Sequence, residues 1–190
     1  MLNYENSKFL TLEELKETTP SIFTKKGSSD TSKKYTHIPT DRVIKDLELL
    51  GWGVVDAKEV KARKGEGYQK HLVVFRNPDV VINGKDGDTV YPQILLTNSH
   101  DAKNSFQFQA GLFRMICENG LVIADEQFED YKIRHMGYDF ETLQGVIKDM
   151  IANLNLTVES MNKMKSIELN EEQQLELAKN LLDIRIEGTN

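Results

Sequence analysis

Apolar residues recur at helical spacing near both ends of this chain and fall into short extended runs between them, and that change of rhythm predicts the fold. Pro39-Thr40-Asp41 supplies a helix start, Val43, Ile44, Leu47 and Leu50 follow at helical spacing, and Gly51 supplies the stop, so a helix is predicted over about 40–50. After Gly51-Trp52-Gly53 the pattern turns extended. VVDAKEVKAR and YQKHLVVFR, joined through Gly65-Glu66-Gly67, read as a β-hairpin. VVI and TVYPQILLT, joined by NGKDGD, read as a second hairpin, with Pro92 favouring an edge position because it cannot donate to a ladder.

From about 105 to 118, Phe106, Ala110, Phe113, Ile116 and Cys117 fit a helical period closed by Asn119-Gly120, so a helix lying on the sheet is expected there. LVIA and YKIRH read as two short strands. Leu143, Val146, Ile147, Met150, Ile151, Leu154, Val158, Met161 and Met164 then mark a long helix. Asn170 with Gln173 resembles a capping box for a last helix carrying Leu175, Ala178, Leu181 and Leu182. The fold class is therefore α+β: a mostly antiparallel sheet with packed helices and a C-terminal helical hairpin. Three parts are expected: a flexible N-terminal arm over 1–35 with a short capped helix at Thr11, a core domain over 36–138, and a helical extension over 139–190.

The 190 residues suffice for one domain with an appendage. No apolar run approaches the roughly 20 residues that cross a bilayer, and MLNYENSKFL lacks the features of a secretory signal, so the cytoplasm is the expected compartment and no membrane partner is expected. One cysteine and four scattered histidines offer no zinc-ligand spacing, so no metal or other cofactor is expected. The net charge of −6 opposes wholesale coating of nucleic acid, yet it is unevenly spread. Lys25–Arg76 holds twelve Lys or Arg against seven Asp or Glu, whereas 139–190 holds five against ten.

That basic stretch carries the first candidate site. Lys58, Lys61, Arg63, Lys64, Lys70, His71 and Arg76 fall on the first hairpin close to Tyr68 and Phe75. Cations that neutralise phosphates beside rings that stack bases are what a single-stranded nucleic-acid groove needs. A solvated strand face with its aromatics turned inward is the structural alternative. A second candidate gathers Asn98, His100, Asp101, Arg114 and His135, either as a polar site on a strand-to-helix connection or as residues that cap a turn. Cys117 reads as a buried thiol rather than a nucleophile, because it belongs to an apolar helical face.

YTHIPT at 35–40, a helix ending in Gly-Trp, KHLVVFR at 70–76, LTNSHDAKNSFQFQAGLFRMICENGLV from Leu96 and the later IRHMG together resemble the phage/plasmid-like protein family, catalogued as domain of unknown function 932. The likeness covers about 35–137 and leaves the arm and the helical tail outside. It implies a protein carried by a phage, plasmid or integrated element and acting in bacterial host cytoplasm. At the level of fold, the order helix, hairpins, helix also resembles the RecT and Redβ single-strand annealing proteins. That likeness implies phosphate contacts from Lys61, Arg63, Lys64, Lys70 and Arg76, stacking by Tyr68, and homo-oligomers assembled through the 143–164 helix.

The leading expectation is thus a DNA-metabolism protein that binds single-stranded DNA, in annealing or recombination, without covalent catalysis. Its rival is an interaction protein that inhibits or redirects a host defence or replication factor through the acidic helical end. A third reading is an enzyme built on Asn98, His100, Asp101, Arg114 and His135, acting on a phosphate-containing substrate.

Overall fold

A computed structural model describes residues 8–61, 67–83, 89–115, 122–136 and 139–187, with side chains left out at 113–115, 122–126 and 183–187. Its centre is a five-stranded sheet ordered β1-β2-β5-β6-β7, each neighbouring pair antiparallel. The strands are β1 (Gly53–Glu59), β2 (His71–Arg76), β5 (Gln93–Asn98), β6 (Phe106–Met115) and β7 (Val122–Ile133). The expected first hairpin is β1–β2. The expected second one forms only a two-stranded ribbon of β3 (Ile82–Asn83) and β4 (Thr89–Val90). Its continuation, β5, leaves β4 after Pro92 and enters the middle of the main sheet, so Pro92 marks the break between two sheets and not an edge.

Two expectations are corrected here. Residues 106–115 form a strand, not a helix, and 122–133 form one long strand, not two short ones. The reason is visible in Phe106-Gln107-Phe108-Gln109-Ala110: the odd positions are polar, and the fully buried Phe106, Phe108 and Ala110 all face one side. A period of two sends alternate side chains to opposite faces, whereas a helix would have put Gln107 and Gln109 beside the core. Cys117 and the Asn119-Gly120 stop lie outside the described residues.

The helices cover one face only. Helix α2 (Thr40–Glu48) brings Val43, Ile44 and Leu47, and α3 (Phe140–Lys165) brings Leu143, Ile147, Met150, Ile151, Leu154 and Val158, onto Val73, Phe75, Ile94, Leu96, Phe106 and Phe108. Each such side chain contributes about 1.5–3 kcal/mol by leaving water. Beyond α2, Gly51 takes φ +85°, a left-handed turn that a residue with a Cβ disfavours, and a Cβ there would come within 3.0 Å of Asn77 Nδ2.

The amino-terminal stretch is part of this core and not a peripheral arm. Helix α1 (Leu12–Thr18) has the expected cap, with Glu14 N–H donating to Thr11 Oγ1 and Thr11 N–H to Glu14 Oε2. Leu15 and Ile22, the latter in the 3-10 turn Pro20–Phe23, are fully buried in the main core. Leu10 N–H donates to the Val54 carbonyl at 2.8 Å, and the Phe9 ring lies where a Cβ on Gly53 would stand.

The opposite end behaves differently. Helix α4 (Glu171–Glu187) starts on the expected capping box, with Asn170 and Gln173 each accepting from the other's backbone N–H. Every described side chain on it, 171–182, is exposed, so α3 and α4 do not close into the packed helical hairpin that was expected.

Candidate functional site

Alternation along β2 separates the two candidate sites onto opposite faces. His71 pairs with Glu59 and Asn98, and this row points to the helix-covered inner face. Leu72 pairs with Lys58 and Thr97, Thr97 with Gln107, and Gln107 with Lys132, and this row points outward. The basic patch read from sequence as one group is therefore divided, with His71 inside and Lys58 outside.

On the inner side, the end of the sheet holds a buried polar network. The His71 Nδ1 lies 3.0 Å from Ser21 Oγ and 3.3 Å from the Gln69 carbonyl, and its Nε2 lies 2.9 Å from Thr40 Oγ1. A carbonyl can only accept, so the network assigns the proton to Nδ1 and lets Thr40 donate to Nε2. Asn98 Nδ2 then donates to Thr40 Oγ1 at 2.9 Å and to the Ile38 carbonyl at 3.1 Å. Glu59 accepts from Ser21 N–H at 3.1 Å and from Gln69 Nε2 at 2.9 Å. These bonds tie 19–41 to the sheet end.

All four histidines of the chain meet here. The His100 ring lies 4.6 Å from that of His37 and 5.3 Å from that of His71, centre to centre, and His135 stacks on Tyr35 at 5.0 Å. The His100 backbone is also a junction, since its N–H donates to the Tyr68 carbonyl and its carbonyl accepts from Ser28 N–H. His135 Nδ1 lies 3.1 Å from the Thr36 carbonyl, and Thr36 N–H donates to the His135 carbonyl. Burial depresses every one of these imidazoles. His71 is brought down to about 4, and His100 to about 2, where the neighbouring His71, His37 and His135 add to the effect of desolvation. His37 and His135 are lowered by the same cause. All four are neutral at pH 7.

The polar-site expectation thus divides. Asn98, His100, Asp101 and His135 do come together, with Asp101 half-exposed at the rim, accepting from Ser99 Oγ at 2.8 Å and from Lys103 N–H at 3.1 Å. Those bonds hold a turn in which Ala102 takes φ 60°. Arg114 does not join them. Its backbone pairs with Ile123 eight residues along β6 from Phe106, roughly 26 Å away at the usual rise per residue, and its side chain lies outside the described residues. Asn98 is fully buried and its amide donates twice, to Thr40 Oγ1 and to the Ile38 carbonyl, which suits a structural tie, whereas the ring nitrogens of the equally buried His100 enter none of these bonds. Among the described residues, no group of His, Cys, Asp and Glu is placed to hold a metal ion.

The outer face carries the nucleic-acid candidates, in altered form. Lys61 and Lys70 are exposed and Tyr68 is half-buried, while Arg63 and Lys64 lie outside the described residues. Arg76 is a correction: it is buried, with its guanidinium 3.4 Å from the centre of the Tyr91 ring, so it is a stacked partner of Tyr91 and not an open phosphate contact. Lys58 approaches Asp56 at 3.8 Å. Lys58, Lys70, Leu72 and Thr97, together with Glu59, Val60 and His71, line a small depression at this end of the sheet. Exposed Lys132 was missed by the sequence reading, although its place opposite Gln107 follows once β6 is read as a strand. Leu72, Val74 and Leu95 form a small separate apolar cluster beneath these polar residues.

An antiparallel five-stranded sheet with helical cover on one face and a polar, partly basic second face defines the class of α+β protein. The chain belongs to the family described as "Domain of unknown function (DUF932)", matched over residues 29–189, which bears out the phage/plasmid-like resemblance. The match runs through both C-terminal helices, so the helical tail belongs to the family region and not outside it. The chain is 32% identical over 181 residues to "UPF0380 protein YafZ" and, equally, to "UPF0380 protein YfjQ", both of Escherichia coli (strain K12). Each alignment covers 93% of this chain and 63% of the relative, so the chain spans less than two thirds of the length of the curated relatives it matches. No solved structure matches. No described helix is long and apolar enough to cross a membrane.

Proposed function

We propose that this chain binds single-stranded DNA along the outer face of its sheet, as a phage-type DNA-metabolism protein acting in annealing or recombination without covalent catalysis. The observation that supports this reading best is the row Lys58, Leu72, Thr97, Gln107 and Lys132, which crosses all five strands on the face that α1, α2 and α3 leave uncovered. Cations stand at both ends of the row, and Lys70 flanks it. The Gln107 amide and the Thr97 hydroxyl between them can serve sugar and base edges, while the cations neutralise phosphate. With Asp56 and Asp130 in the next row, the face is only modestly positive, so binding of moderate affinity and strong salt dependence is expected.

Anisotropy titration of a labelled oligo-dT against salt tests it. Binding at low salt, with a log–log salt slope that becomes shallower by about 1 for each of Lys70→Ala and Lys132→Ala, is the expected result. A chain that binds no oligonucleotide at low salt, or whose binding ignores both substitutions, refutes it. The exposed leucines of α4 favour a second reading, an interaction protein that inhibits or redirects a host defence or replication factor. A nuclease-resistant, stoichiometric host partner lost on Leu181→Glu would replace the DNA reading.

A further inference from the structure

One end of the sheet gathers cations that the sequence scatters. β1 finishes, β2 begins, β5 finishes, β6 begins and β7 finishes there, because Glu59 pairs with His71, His71 with Asn98, Thr97 with Gln107 and Phe106 with Ile133. The segment 21–36 crosses this end as a strap. Ser21 N–H donates to Glu59 Oε2 at 3.1 Å, Thr24 Oγ1 to the Gly67 carbonyl, Ser28 N–H to the His100 carbonyl at 2.8 Å and Thr36 N–H to the His135 carbonyl at 2.8 Å. These ties run in order from the β1–β2 side to the β7 side. Gly27 lets the strap close on itself, since a Cβ there would stand 2.6 Å from the Tyr35 ring, which stacks in turn on His135.

The ties use mainly backbone groups, so the side chains of KKGSSDTSKK are left for solvent. Lys25, Lys26, Lys33 and Lys34 are exposed on the strap, Lys103 is exposed on the β5–β6 turn, and Arg134 is exposed just past β7. Asp30 is the exposed acid in the strap. Other acids at this end are engaged: Glu59 with Ser21 and Gln69, Asp101 with Ser99 and Lys103, and Asp41 with Lys25, whose side chain is still 71% exposed. Five strands at the usual spacing make the line roughly 19 Å long, a length over which duplex DNA presents about eleven phosphates.

The chemistry of the line selects among polyanions. Tyr35 is committed to His135 and Tyr68 is half-buried, so among the described residues the line offers ammonium groups and hydroxyls rather than open rings. A single strand draws much of its affinity from bases stacked on rings. A duplex hides its bases, carries charge twice as densely along its axis, and is held through its phosphates by lysine, arginine and serine. KKGSSDTSKK also has no apolar side chain to enter a bilayer. We propose that this end of the sheet is a second nucleic-acid site, in which Lys25, Lys26, Lys33, Lys34, Lys103 and Arg134 hold the phosphate backbone of double-stranded DNA without reading its sequence. His100 and His135 are positioning residues for it, because their backbone carbonyls fix the strap that carries four of the cations. The net charge of −6 opposes general adhesion to DNA, so binding depends on this local concentration of cations.

Anisotropy titration of the full chain against a short labelled blunt duplex and against labelled oligo-dT, each at graded salt, tests the proposal. The expected result is duplex binding at low salt that Lys33→Ala/Lys34→Ala weakens at least about tenfold, with a log–log salt slope shallower by about 2, and that Lys33→Arg/Lys34→Arg retains. Duplexes of unrelated sequence should bind alike. The alanine pair should leave the urea midpoint unchanged and oligo-dT affinity within about twofold. A chain that ignores duplex at low salt, or holds it equally well after the alanine pair, overturns the proposal. Binding to vesicles of phosphatidylcholine and phosphatidylserine in place of the duplex overturns it too, in favour of a membrane surface. Oligo-dT bound without duplex refutes this site and leaves the outer-face reading standing, and duplex bound without oligo-dT does the reverse.

Discussion

The two faces of the sheet are built from the same strands, and adjacent residues on them have opposite fates. His71 is sealed in a hydrogen-bonded clasp, and Leu72 beside it lies in a row ended by lysines. Inside, every polar group must find a partner within the protein or carry a desolvation cost, so Ser21, Thr40, His71 and Asn98 are tied to one another. Outside, water satisfies Lys70, Gln127 and Lys132 whatever they touch, which leaves them available to a ligand. A shift of one residue along a strand therefore decides whether a side chain enters the polar network under the helices or turns to the opposite side of the sheet.

The largest contrast should come from neighbours on β6. Phe108→Ala on the inner face is expected to lower stability by about 3–5 kcal/mol, while Gln109→Ala on the outer face stays within about 0.5 kcal/mol. Urea denaturation reads both, and comparable losses would erase the distinction between the faces. Next in size, Asn98→Ala should cost about 2–3 kcal/mol, since it strands the Ile38 carbonyl and removes a donor to Thr40.

Acidification sharpens the same contrast. His71 titrates at about 4 in the folded chain against an ordinary value near 6.5, so the unfolded chain binds the extra proton. A depressed imidazole gives stability that is complete above pH 6.5 and is lost as pH falls toward the folded value. His71 alone implies a loss of about 2 kcal/mol between pH 7 and pH 5, and the lowered His37, His100 and His135 add in the same direction. Denaturant midpoints measured across that window should fall with acid, and a flat profile would mean that the cluster is hydrated. The smallest effect belongs to the outer cations: Lys70→Ala and Lys132→Ala should each change the midpoint by less than about 0.5 kcal/mol, which makes them clean probes of binding.

How far the sequence reveals this arrangement varies by element. Helix α2 was legible from Thr40 to Gly51 because start, stripe and stop agree, and α3 was legible because its apolar stripe spans many turns. The capping boxes at Thr11 and Asn170 were equally plain. Strand β6 was misread because Phe106, Ala110 and Phe113 also satisfy a helical spacing, although Gln107 and Gln109 between the buried residues carry the strand signal. Reading Lys58, Lys70 and His71 as one patch failed for a related reason: nearness in sequence ignores which face a strand residue takes. The meeting of His37, His71, His100 and His135 had no local sign, since loops and strands far apart along the chain bring them together.

By itself the sequence determined the α+β class, the β1–β2 hairpin, most helix limits and the family, because spacing, capping and turn chemistry act over a few residues. Tertiary structure alone decided that β5 enters the centre of the sheet and that Leu15, Ile22 and Ile38 of the amino-terminal stretch join the core. It also brought the four histidines together as neutral imidazoles, with His71, His100 and His135 buried, and left the outer row of the sheet clear of the described helices. Those outcomes depend on which apolar surfaces meet across long separations and on which polar groups must then be satisfied away from water, a balance that no short window of residues contains.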